Sequence, residues 1–96
     1  MNEVFLEIVT AKFTAADFER HKLLLPAYQD SSNLRLVFFN ETDYNTYLKE
    51  LETECDMLLS RYWLSKNLEL IDKNKFVIKV LTVLKQEYSK KNHCPC

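Results

Sequence analysis

The sequence predicts a small α+β domain, and two observations carry this prediction. Short apolar segments of high β propensity lie within residues 2–39, and the rest of the chain repeats apolar side chains with a helical period. The chain of 96 residues is long enough for one hydrophobic core. We predict the element order β-α-β-α-α, with one compact domain at residues 1–91 and a flexible C-terminal tail at 92–96.

The first three elements follow from local signals. Residues 2–13 are rich in Val, Ile and Phe, which predicts a strand. Thr14 and Asp17 have the spacing of a capping box, which predicts that a helix starts there. This helix must end before the Pro-led segment 26–33, whose turn-forming residues predict an exposed loop. Residues 34–39 are short and apolar and predict a strand inside the sheet.

Residues 40–66 form the predicted central element, a long amphipathic helix. Asn40 is placed to cap its first turn, and Asn67 to end it in a left-handed conformation. Its apolar stripe consists of Tyr44, Tyr47, Leu48, Leu51, Cys55, Leu58, Leu59 and Tyr62. Steps of three and four residues place this stripe on one side of a helix, facing the core.

Residues 72–88 allow two interpretations. Their apolar residues share one broad helical face, which predicts a third helix. Their many β-branched residues favour instead a hairpin of 68–71 with 76–80, followed by a short helix. The second version gives β-α-β-α-β-β-α, which resembles the element order of thioredoxin-like folds. No Cys-x-x-Cys follows the first strand, so this resemblance implies no activity.

The composition argues against an enzyme. The chain contains no Gly, and the loops that bind phosphates or dinucleotides need Gly where the backbone approaches the ligand. Cys55 is expected in the apolar stripe, with a thiol pKa that burial raises, and His21 lies on a short helix. No spacing pairs these two residues as nucleophile and base. We therefore predict a non-enzymatic protein without a cofactor.

The charged residues are unevenly spread along the chain. Residues 41–66 are acidic, whereas residues 72–91 are rich in Lys, and the net charge is −1. We expect these two segments to pack together and to complement each other. The alternative is a nucleic-acid-binding regulator that uses the Lys-rich segment, but the low net charge does not favour nucleic acid as a partner.

The last residues of the chain suggest a third function class. His93, Cys94 and Cys96 are potential metal ligands, so a small metal- or thiol-dependent module is an alternative. The usual paired Cys-x-x-Cys partner is missing, and we predict no metal site. Residues 1–13 lack the basic start of a secretory signal, and no apolar run approaches about 20 residues. The sequence therefore predicts a cytoplasmic protein that does not bind membranes.

The outer side of the central helix carries the candidate site. Its second half is apolar nearly all round, and such a helix should be covered on every side. We interpret this excess as a surface for another protein or for a second copy in a homodimer. The predicted partner-binding residues are Glu50, Glu54, Met57, Tyr62, Trp63 and Leu64. The predicted function is that of an inhibitor, adaptor or immunity-type factor.

Overall fold

A computed structural model describes residues 4–30 and 33–92 of the chain. Its elements are β1 (Leu6–Thr10), α1 (Ala15–Arg20), β2 (Ala27–Asp30), β3 (Leu34–Phe38), α2 (Glu41–Ser65) and α3 (Leu68–Asn92). The α+β class is confirmed. The chain divides into two compact units, Met1–Asn45 and Thr46–Cys96. The predicted boundary at 91/92 stays a prediction, since α3 includes Asn92 and residues 93–96 lie outside the described range.

The first unit is built around a three-stranded antiparallel sheet with the order β1-β3-β2. The predicted position of residues 34–39 inside the sheet is confirmed, because β3 pairs with both neighbours. Its residue Leu36 is in register with Ile8 of β1 and with Tyr28 of β2. Side chains alternate across β1 and β3, and the buried set is Leu6, Ile8, Leu34, Leu36 and Phe38.

Strand β2 corrects the sequence prediction. We expected an exposed loop at residues 26–33, but Ala27–Asp30 forms an edge strand, and the observed order is β-α-β-β-α-α. An edge strand pairs its backbone on one side only, so its sequence need not show the apolar pattern of a buried strand. The turn-forming residues of this segment therefore predict a loop, whereas backbone pairing with β3 makes it a strand.

Helix α1 starts as the sequence predicts and ends earlier. The capping box is present: Thr14 Oγ1 accepts from the Asp17 N–H at 3.3 Å, and Asp17 Oδ2 accepts from the Thr14 N–H at 2.9 Å. The helix has six residues rather than extending to the proline. Lys22 has a φ of 56°, and the Leu23 N–H turns back to the Phe18 carbonyl at 2.9 Å. This left-handed turn closes the helix.

The first turn of α2 is held within the first unit. Asn40 caps it as predicted, because Asn40 Oδ1 accepts from the Asp43 N–H at 2.7 Å. Tyr44 is buried one turn later and meets Phe38 edge-to-face, with 5.4 Å between ring centroids. The ring centroid of Phe5 lies 6.1 Å from that of the same tyrosine. Capping and aromatic packing together fix where α2 begins.

The second unit contains a helical hairpin, since only Lys66 and Asn67 separate α2 from α3. The helix predicted for residues 72–88 is confirmed. The alternative prediction, a β-hairpin of residues 68–71 with 76–80, is wrong, because these residues lie within α3. The thioredoxin-like element order that it implies is therefore wrong as well. Thr82 Oγ1 donates to the Ile78 carbonyl at 2.8 Å, so this β-branched residue satisfies its hydroxyl within the helix.

Apolar faces and ion pairs hold the two helices of the hairpin. The buried residues of this unit are Tyr47, Leu51, Leu58, Phe76, Val77, Val80, Leu81, Val83, Leu84 and the polar Asn74. Lys73 Nζ lies 3.2 Å from Glu54 Oε1, and Lys85 Nζ lies 3.5 Å from Glu52 Oε2. Such partly exposed pairs contribute at most about 1 kcal/mol each, so apolar burial supplies most of the stability.

The cap of α2 gives a direct test of this fold. Asn40→Ala removes the acceptor for the Asp43 N–H and should lower the free energy of unfolding by about 1 kcal/mol. Asn40→Ser, which keeps a capping oxygen, should recover most of that loss. Urea denaturation followed by circular dichroism measures both. Equal stability of Asn40→Ala and the wild type would show that the cap does not hold this end of α2.

Candidate partner-binding surface

The joint between α2 and α3 positions the candidate surface. Lys66 has a φ of 58°, and its N–H donates to the Tyr62 carbonyl at 2.7 Å, which closes the last turn of α2. The sequence placed this left-handed residue at Asn67, one position too late. Asn67 instead starts α3, because its Oδ1 accepts from the Glu69 N–H at 3.0 Å.

Three large apolar side chains are exposed at this joint. The exposed fraction is 71% for Trp63, 89% for Leu64 and 70% for Leu68. We call these three residues the hairpin-end patch. The first two were predicted from the sequence. Leu68 was missed because it belongs to the next helix, and only the turn at Lys66 brings it to the same end of the hairpin.

A lysine lies against the aromatic part of this surface. Lys66 Nζ is 4.2 Å from the centroid of the Trp63 ring and 5.4 Å from that of the half-buried Tyr62. An ammonium at this distance from an indole face is attracted by the ring quadrupole. The contact restricts the orientation of the exposed indole, and it adds a positive charge to an otherwise apolar patch.

The other predicted residues lie farther along α2. Met57 is exposed two turns before the end of the helix, and Glu50 is exposed two turns before Met57. The carboxylate of Glu54 is held by Lys73. A groove of about 470 Å³ is lined by Thr46, Lys49, Glu50, Thr53 and Glu54. The structure thus brings Trp63 and Leu64 together at the joint, while the two glutamates line a separate groove.

Tyr47 is the most perturbed titratable group among the described residues. Burial raises the pKa of its phenol well above the usual 10, and the nearby Glu50 carboxylate raises the pKa further. The phenol therefore stays neutral throughout the physiological range. Tyr47 is 7% exposed and belongs to the core of the hairpin. A phenol that keeps its proton at neutral pH is not poised to act as a base.

Cys55 also lacks the environment of a reactive group. Burial and the Asp56 carboxylate raise the pKa of its thiol, as the sequence predicts, while a hydrogen bond with Asn74 opposes this shift. The thiol is half-buried and unbridged. Asn74 is only 6% exposed, and its Oδ1 has no hydrogen-bond partner within the described residues. The pair forms a polar contact inside the hairpin, not a nucleophilic centre.

The two other function classes gain no support from the described residues. Lys73, Lys85 and Lys90 are engaged in ion pairs with glutamates, which reduces the positive charge that nucleic acid could use. No group of three or more His, Cys, Asp or Glu side chains in the described part of the chain could hold a metal ion. His93, Cys94 and Cys96 lie outside that part.

Comparison with known proteins finds no relative. No protein-family model, no curated protein and no solved structure matches this chain. Among residues 4–30 and 33–92, no helix is long and apolar enough to cross a membrane. The exposed surface of the hairpin is therefore the basis for a functional proposal.

The environment of Tyr47 predicts how stability depends on pH. Because the folded chain holds the phenol proton more tightly than the unfolded chain, the contribution of Tyr47 is complete below pH 10 and is lost as the pH rises further. The free energy of unfolding should then fall by up to about 1.4 kcal/mol per pH unit from this group. Denaturant titrations between pH 9 and about 11.5 measure this slope.

Tyr47→Phe is the matched control for that experiment. It keeps the ring and removes the titrating hydroxyl, so its stability should decline less steeply above pH 10. The difference between the two slopes isolates the contribution of Tyr47 from that of every group that the two proteins share. Parallel pH profiles for wild type and Tyr47→Phe would contradict the account.

Proposed function

We propose that this chain is a non-enzymatic protein-binding factor, such as an inhibitor, adaptor or immunity-type protein. We further propose that it binds its partner through the hairpin-end patch and the adjoining outer side of α2. The observation that carries the proposal is the exposure of Trp63, Leu64 and Leu68 at one end of the hairpin. Single exposed apolar residues are ordinary, whereas a group of three large ones at one joint suggests an interaction site.

The chemistry of the patch suits a protein partner. Covering a large apolar side chain stabilises a complex by about 1.5–3 kcal/mol, and Trp is the residue most enriched among binding hot spots. The exposed cation–π contact with Lys66, worth about 0.5–1 kcal/mol, favours one orientation of the indole before binding.

The remaining predicted residues are assigned to the rim of the interface. Met57 extends the apolar surface along α2, and Glu50 adds an exposed carboxylate near the groove. Rim charges influence the association rate and the choice of partner more than the affinity. Glu54 is assigned a smaller role, because binding through its carboxylate would require release from Lys73. We place the protein in the cytoplasm, where Cys55 would remain a thiol.

Affinity capture from the native host with matched variants tests this proposal. Trp63→Ala should lose a partner that the wild-type bait retains, whereas Ile78→Ala, which truncates an exposed residue on α3, should retain it. With the captured protein purified, Trp63→Ala should weaken binding by about 2 kcal/mol or more. Its free energy of unfolding should stay within about 0.5 kcal/mol of the wild type, as for surface changes in general.

Two results would contradict the proposed interface. If Trp63→Ala lost about 3–5 kcal/mol of stability and affected capture only through unfolding, Trp63 would be core and not interface. Equal capture by Trp63→Ala and Ile78→Ala, with both variants folded, would remove the hairpin-end patch from the binding site.

A further inference from the structure

Residues 57–68, which span the end of α2 and the start of α3, contain no Asp or Glu. The acids of α2 all precede this segment, and they are Glu41, Asp43, Glu50, Glu52, Glu54 and Asp56. The next carboxylate along the chain belongs to Glu69 of α3. Within the segment, the charged residues are Arg61 and Lys66. The end of the hairpin therefore carries positive charge beside an acidic stretch of α2.

The same segment carries most of the exposed apolar side chains of the second unit. Met57 and Leu59 are 44% and 38% exposed, and the three residues of the hairpin-end patch are exposed still further. Elsewhere in the described part of this unit, Ile78 is the one other large apolar residue that is exposed. Positive charge and exposed apolar area thus coincide at one end of the hairpin.

The two cations of this segment have no carboxylate partner within residues 4–30 and 33–92. The cations that do pair with a carboxylate there are Arg20, Arg35, Lys73, Lys85 and Lys90. Lys66 Nζ instead lies 4.2 Å from the centroid of the Trp63 ring. The face of an indole attracts an ammonium but carries no countercharge. Arg61 and Lys66 are therefore open to carboxylates from another molecule.

A partner that covers Trp63 also covers the ammonium that lies on it. An ammonium moved from water into apolar surroundings loses its hydration, and a nearby carboxylate offsets this cost. A wholly apolar partner would displace Lys66 from the indole or leave its charge without a counterion. A partner with an Asp or Glu at this point keeps the contact and gains an ion pair. The patch therefore selects an acidic partner surface over a wholly apolar one.

Building on the function proposed above, we propose that the hairpin-end patch binds an acidic, apolar segment of a partner protein. Large apolar side chains of that segment cover Trp63 and Leu64, and a carboxylate pairs with Lys66. A second carboxylate pairs with Arg61, which precedes Leu64 by three residues and therefore lies beside it on α2.

Anionic lipids and nucleic acids fit this surface less well than an acidic protein does. Binding to either depends on clusters of basic residues, about four to eight of them in the case of lipids. The hairpin end has two, and the exposed Asp56, Glu69 and Asp72 lie on either side of it in the sequence. A uniformly anionic surface would repel these carboxylates, whereas a protein can place single carboxylates against single cations.

Zero-length crosslinking to a captured protein tests the predicted ion pair. The probe is a clarified extract of the native host, and the full-length chain is the bait. A carbodiimide, which couples an ammonium to a carboxylate in contact with it, should join Lys66 to an Asp or Glu in an apolar segment of the captured protein. Lys66→Arg should still bind and should lose this crosslink, because its guanidinium keeps the charge and is not coupled. Lys79, exposed about three turns beyond Leu68 on α3, should give no such crosslink.

Removing the charge measures what the ion pair contributes to binding. With the captured protein purified, Lys66→Gln should raise the dissociation constant about tenfold or more and should make it less sensitive to salt. Lys79→Gln, which removes an exposed charge farther along α3, should leave the dissociation constant unchanged. An unchanged dissociation constant for Lys66→Gln, or a complex without a crosslink at Lys66, would overturn the inference.

Three further outcomes separate this inference from the proposed function. Capture that depends on Trp63 and not on Lys66 would overturn the inference and leave the proposed interface standing. Capture that does not depend on Trp63 would overturn both. Vesicles of phosphatidylserine and phosphatidylcholine test the lipid alternative. Vesicle binding that Trp63→Ala abolishes, without any crosslink from Lys66 to a protein, would overturn the inference in favour of a lipid surface.

Discussion

The joint at Lys66 and Asn67 determines which side chains of the second unit reach solvent. A two-residue connection reverses the chain only if one residue takes a left-handed conformation, and Lys66 takes it. The Asn67 side chain then starts α3 immediately. Helix α2 ends and α3 begins at this point. Neither helix therefore has a further turn that could cover Trp63, Leu64 or Leu68. The candidate interface is therefore a consequence of the way the chain reverses.

The two groups with shifted pKa values inside the hairpin are held in their neutral forms. The perturbed groups there, Tyr47 and Cys55, both have pKa values raised by burial, so both are neutral at physiological pH. Asn74 contacts Cys55 and leaves one buried oxygen without a described partner. Such a polar contact contributes little to stability and can instead restrict how two helices align.

Local rules explain the parts of the fold that the sequence predicts well. The capping box at Thr14 and the cap at Asn40 depend on residues three positions apart, so both can be recognised without tertiary information. The helical period of residues 72–88 outweighs their β-branched content, because Val77 and Val80 bury the same face. Each of these signals is contained within one element.

The sequence predictions fail where a residue's role depends on contacts between two elements. The edge strand Ala27–Asp30 is defined by its pairing with β3, which its own composition does not reveal. The left-handed residue was assigned to Asn67 on intrinsic preference, but the same asparagine is used to cap the next helix. Leu68 joins the surface only through that turn. The residues of the candidate site that lie on α2 could thus be predicted from the sequence. Leu68, which lies beyond the joint on α3, could not.

The end of the hairpin is open to solvent in the folded chain, and we propose that association covers it. Trp63 is the only tryptophan of the chain, so its fluorescence reports on this surface without any label. At a concentration where sedimentation shows a monomer, we expect a red-shifted emission that acrylamide quenches readily. A blue shift and protection from acrylamide should follow when a dimer or a complex forms. Blue-shifted, protected emission in the isolated monomer would contradict the account, because the indole would then be buried in the fold itself.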